Sequence, residues 1–98
     1  MVDRSTMTRE AAEALAVEAL SYLAAEPERL VRFLDLSGLN PTSIRAAAGE
    51  PRFLAGVLEH VASDEGLLVA FAASAEVEPA MVDRARRVLS GRWERDLP

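Results

Sequence analysis

The sequence predicts an all-α protein: a compact orthogonal bundle of about six helices in one domain. Three observations carry that expectation. Apolar residues recur at helical spacing along most of the chain. Four of the five prolines fall where those apolar segments begin, and the fifth is the last residue. Eighteen alanines, with few β-branched runs, favour helix over strand. Proline suits the first helical position because its fixed φ matches the helix and its missing N–H would find no partner there. Such agreement between punctuation and hydrophobic period is expected of a sequence that specifies one fold.

Residues 1–7 are polar and without period, and read as a flexible leader to a helical domain over 8–91. Thr8 is the expected N-cap of the first helix, with Glu10 placed favourably against the helix dipole. Ala12, Leu15, Ala16, Ala19, Leu20 and Leu23 form its apolar stripe, narrow and alanine-rich enough for close helix approach. The second helix opens at Pro27, turns Leu30, Phe33 and Leu34 inward and stops at Gly38. A short third helix is expected over 41–48, with Leu39 and Ile44 spaced as a hydrophobic staple around Asn40 and Gly49 as its stop. The fourth begins at Pro51 and carries Leu54, Val57, Leu58 and Val61; Ser63 or Asp64 then recaps the chain. The fifth, over 65–75, is apolar on nearly every side, which predicts the buried centre of the domain with Leu68 and Phe71 in the core. The sixth opens at Pro79, carries the apolar residues Met81, Val82, Ala85, Val88 and Leu89, and stops at Gly91. Residues 92–98 form a tail.

The chain also resembles itself. Moved by 38 residues, the stretch 30–47 falls on 68–85, so that Leu30, Val31, Phe33, Pro41 and Ala47 meet Leu68, Val69, Phe71, Pro79 and Ala85. The same shift carries Leu15, Leu20 and Leu23 onto Phe53, Leu58 and Val61. Two pseudo-repeated three-helix units would explain this. Chance similarity among alanine- and leucine-rich helices is the alternative.

Composition bounds function mainly by exclusion. Ninety-eight residues support one modest core. A net charge of −5 argues against a protein built to coat nucleic acid or an anionic membrane. The longest apolar run, 67–73, is too short to cross a bilayer, and the N-terminus lacks the apolar region of a signal peptide, so a cytoplasmic location is expected. There is no cysteine, hence no thiolate metal site. Eleven arginines without a lysine suggest the codon bias of a GC-rich bacterial genome.

His60 is the single histidine, and as a general base it would need a nucleophile and an orienting carboxylate. Only Asp64 shares its face, so His60 is expected to be exposed near a helix end and nearly silent on replacement by alanine. Gly38, Gly49, Gly56, Gly66 and Gly91 are too scattered for a phosphate loop, and no serine sits in a nucleophile elbow. No catalytic residue, cofactor site or metal site is therefore predicted. The uneven feature is basic: Arg84, Arg86, Arg87, Arg92 and Arg95 against Glu94 give residues 84–95 a charge of +4, leaving −9 on the rest. Arg84, Arg86, Arg87, Arg92 and Trp93 are thus the candidate partner-binding residues. Trp93 either folds back over the domain or waits for a partner.

The segments TREAAEALAVEAL, PERLVRFLDLSGLNPTSIRAAA and FLAGVLEHVASDEGLLVAFA resemble a small all-helical proteobacterial family catalogued as a domain of unknown function. The resemblance spans about residues 8–89, and implies a helical fold and a bacterial source but no catalytic residue. The functional expectation is a non-enzymatic protein-interaction or regulatory module whose partner is another protein. The alternative is a nucleic-acid-binding, helix-turn-helix-like protein that uses its arginine-rich last helix.

Overall fold

The computed structural model describes residues 7–37 and 51–90. They form five helices and no strand: α1 over Arg9–Ala24, α2 over Pro27–Ser37, α3 over Pro51–Ala62, α4 over Glu65–Ala75 and α5 over Pro79–Ser90. The all-α expectation holds. The short helix expected over 41–48, the Leu39–Ile44 staple, the stops at Gly38, Gly49 and Gly91, and the tail lie outside the described residues. Met7, assigned above to the leader, packs half-buried against the core.

Helix ends follow local chemistry. Thr8 is extended, and its Oγ1 accepts the Ala11 N–H at 3.0 Å, satisfying a first-turn donor of α1. α2, α3 and α5 all begin on proline. Asp64 caps α4, its Oδ1 accepting the Leu67 N–H at 3.1 Å. At the other end of α4, Glu76 adopts the left-handed conformation with φ 59°. Its N–H bonds the Ala73 carbonyl at 3.3 Å and the Val77 N–H bonds that of Ala72 at 3.0 Å, the paired bonds of a Schellman stop. A side chain in that conformation costs about 1 kcal/mol. Half-buried Val77, packed on the core just beyond, helps to hold it.

The centre of the molecule is the trio α1, α3 and α5. α5 packs most extensively against α3 and next against α1, and α1 also packs on α3. Ala12, Ala16, Ala19 and Leu23 of α1, Val57, Leu58 and Val61 of α3, and Val82 and Ala85 of α5 are all fully buried. No polar or charged residue among the described ones is buried.

This corrects the expectation that the 65–75 helix is the buried centre. In α4 only Phe71 and Ala72 are buried; Leu68, expected in the core, is half-buried and Val69 is 53 % exposed. Apolarity on all sides misled because four of the apolar residues are alanines, Ala70, Ala72, Ala73 and Ala75. Exposing an alanine forfeits little hydrophobic free energy, which scales with apolar area. Amphipathic α5, with a defined stripe, takes the centre instead.

The 38-residue shift carries α2 onto α4 end for end, and the last residue of α1 onto the last of α3. Phe33 and Phe71 are both buried, whereas Val31 and Val69 are 55 % and 53 % exposed. Ring contacts correspond as well: Tyr22 of α1 lies against Phe71 of α4 at 5.5 Å between centroids, and His60 of α3 against Phe33 of α2 at 5.1 Å. Under the shift each pair becomes the other.

Core and surface of α4 should separate cleanly in urea denaturation. Phe71→Ala is expected to lose about 3–5 kcal/mol. Val69→Ala should stay within about 0.5 kcal/mol of wild type. A loss at Val69 comparable with that at Phe71 would restore α4 to the centre.

Candidate functional site

Because α2 and α4 are attached to the central trio mainly through their aromatic residues and neighbours, a groove of about 380 Å³ opens with both helices in its walls. α2 contributes Arg29, Arg32 and Leu36; α3 ends in it at His60; Ser63 and Asp64 form the corner; and Gly66, Leu67 and Ala70 come from α4. A second hollow of about 340 Å³ adjoins it, sharing Leu36, His60 and Ser63 and adding Phe33, Gly56 and Glu59. Leu36, 70 % exposed, borders both.

His60 is half-buried here, which corrects the expectation of an exposed side chain. Phe33, itself buried, lies under the last turn of α3 and meets the imidazole edge-to-face at 68°. Burial lowers the His60 pKa below its usual value, and the Arg32 guanidinium lowers it further against the opposing pull of Asp64. The Ser63 hydroxyl donates to the His60 backbone carbonyl at 2.8 Å rather than to the imidazole, so the pair is not arranged as nucleophile and base. Arg29 stacks its guanidinium 4.8 Å from the Tyr22 ring centroid. Arg32 is exposed and makes no ion pair among the described residues. This arrangement is suited to binding.

The sequence singled out a different place, the arginines of the last helix. Arg86 donates through Nε at 3.1 Å and Nη2 at 2.8 Å to one carboxylate oxygen of Asp83, and Arg87 donates to the other at 2.7 Å. Both belong to α5, one turn from their acid. Arg84 is exposed and engaged in an interaction of its own. Arg92 and Trp93 lie outside the described residues. For Arg86 and Arg87 the acid is Asp83, on the same helix and one residue before the window over which charge was counted. The Arg86 hydrogen bond, more than any other cause, holds the Asp83 carboxyl below the usual carboxylate range. The groove has no sequence signature because its polar residues come from two helices and the corner between α3 and α4, and form no motif.

Two measurements check these contacts. A histidine whose folded pKa is depressed binds its proton more readily in the unfolded chain, so stability falls as pH drops through the interval below the unfolded value. The melting temperature is thus expected to fall as pH drops below about 6.5, the unfolded value, and less so in His60→Gln. His60→Ala should lose roughly 1 kcal/mol with its ring contact, not be silent. In Arg86→Glu with Arg87→Glu, two ion pairs are replaced by like charges beside Asp83. The pair should lose about 1 kcal/mol, or roughly 4–8 °C in melting temperature. An unchanged melting temperature would show that Asp83 does not hold these arginines in solution.

Neither a curated protein nor a solved structure matches the chain. One family model matches residues 9–92, from the first residue of α1 to just beyond α5. A match over that much of the sequence settles membership: the chain belongs to the family described as Protein of unknown function (DUF3572).

Proposed function

We propose that the chain is a non-enzymatic protein-interaction module, and that a segment of a partner protein docks on the two adjoining hollows around Leu36. The observation that carries this is Leu36 itself, an aliphatic side chain 70 % exposed between two concave surfaces. Aliphatic surface at the centre of a concave, polar-rimmed patch is what interaction sites present. Gly56 supports the same reading. Glycine inside a helix is about 0.5–1 kcal/mol worse than alanine. A Cβ at Gly56 would meet nothing within 4 Å, so no packing inside the described fold requires its absence. Bare backbone at the lip of a hollow lets another chain approach closely.

The pairing of Arg86 and Arg87 with Asp83 favours a protein partner over nucleic acid, since a phosphate would have to compete with a carboxylate already in place. Among the described residues no helix is long and apolar enough to cross a membrane. On composition we place the module in the bacterial cytoplasm. We further read the chain as two pseudo-repeated units, on the matching helix ends and the exchanged ring contacts.

Gly56→Ala is expected to stabilise the fold by about 0.5–1 kcal/mol. Leu36→Asp should change stability by no more than about 0.5 kcal/mol. Tagged wild-type protein in nuclease-treated cell extract should retain a partner that Leu36→Asp does not. Equal retention by both would move the interface away from this surface.

A further inference from the structure

We propose that the groove between α2 and α4 is a carboxylate site, where the guanidiniums of Arg29 and Arg32, beside the imidazole of His60, receive the acidic side chain of a docked segment. This rests on the interaction reading for the source of the carboxylate, not for the chemistry of the groove.

Arg29 and Arg32 are one turn apart on α2, a spacing that puts both on one face, and both line the groove. Arg32 enters no ion pair among the described residues, although Glu28 and Asp35 stand one turn away on either side of it. The Arg29 guanidinium lies over the Tyr22 ring, 4.8 Å from its centroid, a cation–π contact that helps to position it at the groove. The acid in the groove wall, Asp64, is committed to the Leu67 N–H at 3.1 Å. The amino end of α4 is thereby already satisfied, and the proposed site does not depend on it.

Two positive side chains therefore line one concave surface of a chain whose net charge is −5, and among the described residues no carboxylate is bonded to either. A planar carboxylate matches the planar fork of a guanidinium, and a charge-assisted pair of this kind is among the stronger hydrogen bonds. Leu36, Leu67 and Ala70 complete the wall with apolar surface suited to the methylenes of a glutamate. His60 adds control. Facing it are Arg29 and Arg32 from α2, Asp64 at the corner and Glu59 on its own helix. Its protonation brings a third positive charge to the site, so carboxylate affinity rises as pH falls through the His60 pKa.

Because His60 is the single histidine, its imidazole resonance in a proton NMR titration of the full chain needs no assignment. The titration is run in formate, sulfate and chloride at matched ionic strength. Formate is expected to raise the His60 pKa saturably by roughly half a pH unit over chloride, the effect of one charge a few ångström away in a largely aqueous setting. Arg32→Gln should raise the pKa in chloride, since a neighbouring cation is lost, and abolish the formate response. Arg32→Lys should keep part of it. Identical values in formate and chloride would overturn the site, as would a formate response that survives Arg32→Gln. A response to sulfate alone would overturn the carboxylate assignment in favour of a phosphoryl ligand. If formate acts but the Leu36-dependent partner is not found, the interaction reading fails by itself. If that partner binds and formate is inert, the carboxylate site fails by itself.

Discussion

Everything in this fold depends on how closely α1, α3 and α5 can approach. Ala12, Ala16 and Ala19 on α1 and Ala85 on α5 are completely buried, so much of the contact is made by methyl groups on or near the backbone. Small side chains lose little rotamer entropy on burial, and they let Leu23, Val57, Leu58, Val61 and Val82 close the remaining space. A larger side chain at one of these alanines would force helices apart where no loose residue can yield. The trio thus forms a rigid platform before the other two helices are considered.

α2 and α4 are each attached to that platform around one buried aromatic anchor, with Leu34 and Ala72 buried beside it. Phe33 goes under α3 beside Phe53 and His60, and Phe71 goes under α1 beside Tyr22. Such anchors bury a large area at one point of a short helix and leave its flanks uncovered. Hence Val31 and Val69, at equivalent places, face solvent, and a groove remains with α2 and α4 in its walls. The groove follows from how the aromatic residues are distributed. With few of them in the chain, each outer helix has one firm attachment and one open side.

The fold was legible in the sequence wherever a signal was local. Thr8, the prolines at 27, 51 and 79, and Asp64 marked helix starts because capping and proline chemistry act within a turn. What failed was the ranking of helices by burial. α4 is the more apolar of the two helices, but the large residues of α5 share one face and those of α4 do not, and counting alanine as equal to leucine hid that difference. The candidate site was less legible still. Net charge drew attention to Arg86 and Arg87, which Asp83 satisfies within their own helix. Arg29 and Arg32 are fewer and flanked by acids in sequence, and only the fold brings them to His60.

Among the described residues the core holds no buried polar or charged residue. Buried hydrogen bonds or charges can lock neighbouring helices into one register, and the described core does without them. Specificity of packing is carried by shape alone, through alanines opposite valines and leucines. The polar chemistry is correspondingly free for the surface, and it divides into two kinds. On α5 it closes on itself, Asp83 holding Arg86 and Arg87. At the groove neither Arg32 nor Arg29 is ion-paired among the described residues, although Glu28 and Asp35 stand one turn from Arg32. Desolvating an acid and ordering two long side chains for an exposed pair gains little. The same guanidinium beside apolar walls, with its mate already stacked on Tyr22, pays less of that ordering when an anion arrives from outside. The difference between the two surfaces is therefore one of preorganisation rather than of net charge.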